Sequence, residues 1–176
     1  MTEAAVIEMV CRALCNLGSS SKRNRERMRE RGGGEGVVKA LKIHRREREV
    51  VSAACGAIVN MTAEQEGWEA LLTAGAGTEV IKSLRFHQNH SLCVQQTCMA
   101  IYSLSLPLFS SSLFFSSSLS ISNYKNVFHT LQLKILLRNV KENIKLSKTA
   151  HNEATDAYNL LFREREGEKE RESEAK

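Results

Sequence analysis

The pentapeptide ALCNL at residues 13–17 returns as AIVNM at residues 57–61, 44 positions later, and as AIYSL at residues 100–104, another 43 positions on. A cysteine stands two positions before each alanine, at Cys11, Cys55 and Cys98. Self-similarity at a fixed period of this length is typical of a solenoid in which each unit is one group of secondary-structure elements.

A second set of matches precedes the third copy. Residues 37–44 agree with residues 80–87 at two adjacent aliphatic positions, at a leucine and at a histidine. Gly32 and Gly34 agree with Gly75 and Gly77 at the same shift of 43. Because many positions keep one register, the period is a property of the whole unit and not of one short motif.

Each unit is predicted to contain three helices. Apolar residues in 6–17, 50–61 and 94–104 recur at the 3, 4, 7 spacing of a single helical stripe. Shorter helices are expected at 35–43 and 78–86, and charged first helices at 23–31 and 64–73. The glycines between the first two helices allow the positive backbone angle of a sharp helix junction.

Three helices per unit, a glycine pair between the first two and a last helix ending Ala-x-x-Asn-Leu resemble armadillo repeats over residues 3–104. The resemblance implies an all-α, right-handed armadillo-type α-solenoid of about two to three repeats. It further implies a concave groove, lined by the last helices, that binds extended peptides or other proteins.

The resemblance also indicates which residues line that groove. Asn16 and Asn60 match the asparagines whose amides bind the ligand backbone in peptide-binding members, whereas the third unit has Ser103. One turn earlier, where import receptors of this fold carry tryptophan, stand Arg12, Gly56 and Met99, which argues against binding of classical import signals. Such asparagines also brace neighbouring helices, so both roles stay open.

The repeat is interrupted after Leu104. Residues 105–124 are rich in serine, leucine and phenylalanine, and are expected to be a disordered insertion or an artefact of the gene model. Residues 103–120, SLSLPLFSSSLFFSSSLS, contain only the four amino acids whose codons can be entirely pyrimidine, as in a translated pyrimidine tract. Helical periodicity resumes at 125–162 as a degenerate repeat, and 163–176 is a charged tail. A truncated fragment of a longer armadillo protein is a further interpretation.

No motif predicts catalysis. The glycine-rich residues 32–36 lack the Lys-Ser/Thr of a phosphate loop, and the cysteines and histidines lack metal-ligand spacing. The cysteines at the repeated core position are expected to be packing thiols. The sequence therefore predicts a non-enzyme without metal, cofactor or small-molecule substrate, whose partner is a protein or extended peptide.

Basic stretches at 22–31 and 42–48 support the rival hypothesis of a basic helical protein associated with nucleic acid. Aromatic residues are not interleaved there and glutamates interrupt the charge, so a solvated helix face is favoured. Arg23, Arg27 and Arg46 are also candidates for attracting an acidic partner.

The location of the chain is predicted from its ends and its cysteines. The first residues lack the basic and apolar regions of a secretory signal, and the serine-rich segment is too polar for a membrane span. Five cysteines, an odd number, suit free thiols in a reducing compartment. We expect a cytoplasmic or nuclear protein without a membrane partner.

Overall fold

A computed structural model of the chain describes residues 2–109, 137–138, 148–159 and 161. Eight helices account for nearly all of this described part: α1 Glu3–Ser19, α2 Lys22–Glu30, α3 Gly33–Ile43, α4 Arg48–Met61, α5 Gln65–Thr73, α6 Ala76–His87, α7 Ser91–Phe109 and α8 Lys148–Tyr158.

The helix boundaries follow local chemistry. The hydroxyl oxygens of Thr2 and Ser21 accept hydrogen bonds from backbone N–H groups in the first turns of α1 and α2. Gly32 and Gly75 precede α3 and α6 with φ values of 71° and 86°. A side chain at either position would be strained, so these two glycines make the sharp junctions that the repeated spacing predicts.

The helices form two complete three-helix units, α2–α3–α4 and α5–α6–α7, preceded by α1. The third helices α1, α4 and α7 pack in sequence, and each second helix packs against the third helix of its own unit. The apolar stripe of α4 lies fully inside this stack, and its buried members are Val50, Val51, Ala54, Cys55, Ala57, Ile58 and Met61. The all-α repeat predicted from the sequence is confirmed.

Polar contacts join helices both between and within the units. The guanidinium of Arg25 in α2 donates two hydrogen bonds to the carboxylate of Glu64, with distances of 2.7 and 2.6 Å. The indole N–H of Trp68 donates to the backbone carbonyl of Leu104 over 2.7 Å. The first contact joins α2 to the start of α5, so it fixes how one unit is set against the next. The second joins α5 to α7 within one unit.

The third helix of the second unit is longer than expected. The repeat was predicted to stop at Leu104, but α7 continues to Phe109. Ser105 is buried, and its hydroxyl donates to the carbonyls of Ile101 and Tyr102, so a serine here satisfies its hydroxyl within the helix. The remaining part of the predicted insertion, 110–124, lies outside the described residues.

The degenerate repeat predicted at 125–162 is described only at 137–138, 148–159 and 161, and the charged tail at 163–176 lies outside the described residues. Helix α8 packs against α7, where a further third helix would stand. Its buried residues Ala150, Ala154 and Ala157, together with Leu161 beyond its end, join the same core as α7.

Candidate functional site

A surface depression of about 270 Å³ crosses the three third helices. It opens on the face where α1, α4 and α7 lie side by side, and each helix supplies part of the wall. Its lining residues are Arg12, Cys15, Asn16, Ser52, Ala53, Gly56, Leu92 and Gln96.

Gly56 forms the floor of the depression. A Cβ atom at this position would lie 3.1 Å from the Cys15 sulfur and 3.4 Å from Oε1 of Gln96. Because Gly56 has no side chain, the Cys15 sulfur of α1 and the Gln96 amide of α7 both come close to this position. The three helices can approach one another here because α4, the central helix, has glycine at this position.

The structure divides the six sequence-predicted groove residues into two groups. Arg12, Asn16 and Gly56 line the depression. Asn60, Met99 and Ser103 are half-buried on α4 and α7 and are not among its lining residues.

Asn60 braces two helices. Its side-chain N–H donates to the backbone carbonyl of Cys15 over 2.8 Å, and the same nitrogen lies 3.4 Å from the Cys15 sulfur. Asn16 occupies the equivalent repeat position but is exposed. The two asparagines, alike in sequence, therefore have different surroundings, and Asn16 is the one with an amide open to a ligand.

Five lining residues were not predicted: Cys15, Ser52, Ala53, Leu92 and Gln96. A signal for two of them was present, because Leu92 and Gln96 precede Met99 and Ser103 by seven positions each and share their helical face. On α7, the depression therefore lies about two turns closer to the start of the helix than the resemblance implied.

A third asparagine at this repeat position was also missed. Asn159 follows Ala154 by five positions, as Asn16 follows Cys11 and Asn60 follows Cys55. Ala154 is fully buried like the cysteines at that position. Asn159 is half-buried directly after α8. This copy is hard to see in the sequence because Ala154 replaces the cysteine and Asp156 replaces the alanine of the Ala-x-x-Asn motif.

The depression is nearly neutral. Arg12 is the one charged residue among its lining residues, its side chain is 66% exposed, and its Nε lies 2.9 Å from Oε1 of Glu8. The other polar groups are the amides of Asn16 and Gln96, the hydroxyl of Ser52 and the thiol of Cys15. Such a lining offers hydrogen bonds to a peptide backbone and one cation at the rim.

The thiols near the groove are poor nucleophiles. Burial raises the pKa of Cys15, although the hydrogen bond from Asn60 opposes the shift. Burial raises the pKa of Cys11 to about 11 and that of Cys55 and Cys98 further still. These side chains are therefore protonated at neutral pH, whereas the thiolate is the reactive form. Cys11, Cys55 and Cys98 are packing thiols, as the repeat predicted.

Two further features of the described part of the chain concern ligands and membranes. It contains no group of three or more His, Cys, Asp or Glu side chains placed to hold a metal ion. No helix in that part has both the length and the apolarity needed to span a bilayer.

The fold is also found in known structures. No protein-family model and no curated protein matches the sequence. Among solved structures, a designed armadillo repeat protein, YIII(Dq)4CqI, superposes with a TM-score of 0.67 at 19% identity, over 91% of this chain and 59% of that one. This chain thus spans less than two thirds of that protein's length. Together with the repeated three-helix units, the superposition shows that this chain has the armadillo-type α-solenoid fold.

Proposed function

We propose that this chain is a non-catalytic scaffold that binds an extended peptide, or an extended segment of a partner protein, in the depression across α1, α4 and α7. The observation that carries the proposal is the continuous lining of that depression by neutral hydrogen-bonding groups from three consecutive third helices.

The spacing of the helices suits an extended ligand. Packed helices lie about 8–10 Å apart, and an extended chain advances about 3.3 Å per residue. About every third ligand residue then meets a new helix. The amides of Asn16 and Gln96 can bind ligand N–H and C=O groups, Leu92 offers apolar contact, and Arg12 can bind a ligand carboxylate.

Thiol protonation supports a binding role over a catalytic one. Cys15 is the lining residue whose side chain would be the strongest nucleophile if it were ionised. Its raised pKa keeps the thiol protonated at physiological pH. Selectivity then depends on side-chain contacts and requires no cofactor. The five free cysteines favour a reducing compartment, the cytosol or the nucleus.

The basic first helix gives weaker support to nucleic-acid binding. Arg25 in α2 donates two side-chain hydrogen bonds to Glu64 and a third to the backbone carbonyl of Gly18. Lys22 lies 3.9 Å from Glu26. Charges held in this way are less able to bind phosphates. Arg23 and Arg27 are exposed and serve as the control for this alternative.

The test is selection of a random dodecapeptide phage library on the full chain, followed by binding of the enriched peptides in solution. The double variant Asn16→Ala with Gln96→Ala should weaken binding at least about tenfold. The control Arg23→Ala with Arg27→Ala should stay within about twofold, as surface changes outside an interface do.

Two outcomes contradict the proposal. In the first, the enriched peptides bind the groove variant as tightly as they bind the unaltered chain. In the second, no peptide is enriched, whereas single-stranded RNA binds with a steep salt dependence. The Arg23→Ala with Arg27→Ala variant then abolishes that RNA binding.

A further inference from the structure

The second helices carry a repeated pattern on their outer face. Lys39, Lys42 and Ile43 of α3 correspond, 43 positions later, to Lys82, Arg85 and Phe86 of α6. All six are exposed. We call these six side chains the second-helix ridge.

The apolar members of the ridge are not needed for packing. The inner faces of α3 and α6 already bury Val37, Leu41, Val80 and Leu84 at 1% exposure or less. Ile43 is 60% exposed and Phe86 is 53% exposed. Each unit thus places one apolar side chain outside the core at the same repeat position. This repetition indicates a surface suited to a partner.

The two apolar positions lie at the ends of two neighbouring helices, beside a positive charge. Helices α3 and α6 pack against each other, and packed helices are about 8–10 Å apart. The guanidinium carbon of Arg46, in the loop after α3, lies 5.7 Å from the centre of the Phe86 ring. This cation–π contact joins the end of the second helix of one unit to the end of the second helix of the next.

The charge around the ridge is predominantly positive. Lys39, Lys42 and Arg46 are exposed, and no carboxylate of the described residues forms an ion pair with them at 4 Å or less. The nearby Glu79 is nearly buried, and its carboxylate accepts hydrogen bonds from Arg45 at 2.6 Å and Lys82 at 2.8 Å. A partner that covers this surface must therefore bring negative charge.

We infer that the second-helix ridge binds an acidic amphipathic helix whose apolar residues lie seven positions apart. Seven residues advance about 10.5 Å along a helix and return to the same face, which matches the expected separation of Ile43 and Phe86. Acidic residues that flank those positions would face Lys39, Lys42 and Arg46. A lipid surface fits less well, because two apolar side chains bury little area in a bilayer.

The test uses a fluorescein-labelled peptide of about 18 residues, a length at which alanine-rich helices form in water. It consists of alanine, glutamine and glutamate, with two leucines seven positions apart and glutamates three and four positions after each leucine. A second peptide has the same composition, but its leucines are five positions apart and thus lie on different faces. Anisotropy measures binding of each to the full chain.

The decisive variant is Ile43→Ser with Phe86→Ser. Its matched control is Val10→Ser with Leu17→Ser on α1, where the side chains are 49% and 52% exposed. We expect the ridge variant to bind the first peptide at least about tenfold more weakly, and the α1 variant to stay within about twofold. The second peptide should bind the unaltered chain at least about tenfold more weakly than the first.

If circular dichroism shows that the serine variant folds poorly, a charge-reversal variant provides the same test. Lys42→Glu with Arg46→Glu should also weaken binding at least about tenfold, whereas Arg23→Glu with Arg27→Glu on α2 should not. Equal losses in both reversals, or equal binding of both peptides, would overturn the inference. Binding to phosphatidylserine vesicles that depends on Ile43 and Phe86, without binding of the first peptide, would overturn it in favour of a membrane surface.

Discussion

Asn60 allows helix bracing to be separated from ligand binding. Replacement by alanine removes the 2.8 Å hydrogen bond from Asn60 in α4 to the carbonyl of Cys15 in α1. It keeps the Cβ atom that lies against Gly18. The change therefore deletes one hydrogen bond at the α1–α4 contact with little loss of apolar packing.

The expected cost follows from the bond and its burial. A neutral hydrogen bond between half-buried groups contributes about 0.5–1.5 kcal/mol net, so we expect Asn60→Ala to destabilise the chain by about 1 kcal/mol. For a protein of this size that lowers Tm by roughly 2–4 °C. Because each unit of a solenoid contacts only its neighbours, the effect should concentrate in α1.

Native-state hydrogen exchange of the α1 amides is the direct assay. A loss of 1 kcal/mol should accelerate exchange in α1 about fivefold, while amides of α6 change little. The matched variant Asn16→Ala removes an exposed amide and should change stability by less than about 0.5 kcal/mol.

One result would refute this reasoning. If Asn16→Ala accelerates exchange in α1 as much as Asn60→Ala does, the hydrogen bond to Cys15 is not what holds the two helices together.

Three further predictions concern charge, backbone and thiol chemistry. The hydrogen bond from Arg25 lowers the pKa of Glu64 below its ordinary value of 4.5. The stability that this pair contributes is therefore complete above pH 4.5 and falls as the pH drops toward the folded pKa. When the free energy of unfolding is measured as a function of pH, it should decline less in acid for Glu64→Gln than for the unaltered chain. Gly32 has a φ of 71°, so Gly32→Ala should destabilise the chain by roughly 1–2 kcal/mol in urea unfolding. Gly36 lies at an exposed helical position where an added Cβ would meet no atom within 4 Å, so Gly36→Ala should stabilise the chain by about 0.5–1 kcal/mol in the same assay. Cys15 is the half-buried thiol among four buried ones, so Ellman's reagent should modify it first in the native chain, and Cys15→Ser should remove that fast phase.

The period of the sequence was sufficient to predict the fold. Helical spacing and the recurring glycines identified three helices per unit, and the structure has them within a few residues of the expected ends. The end of α7 was misjudged because composition alone does not show that Ser105 can satisfy its hydroxyl within the helix. Serine-rich sequence is ambiguous between helix and loop for this reason.

The lining of the depression was predicted less well than the helices, and the reason lies in a difference between equivalent repeat positions. A repeated motif gives Asn16 and Asn60 the same expected role, since it contains no information on what stands beside each copy. Asn60 has α1 next to it and bonds to Cys15. Asn16 stands at the equivalent position of α1, and its side chain is exposed.

Local pattern and tertiary contact thus decided different properties of this protein. The spacing of apolar residues determined that the chain forms helices in three-helix units, because burial of one stripe per helix is a local requirement. Only packing decided which side chains meet across helices: Gly56 brings Cys15 and Gln96 together from two different units. That juxtaposition depends on how far apart two backbones settle, which no single helix specifies.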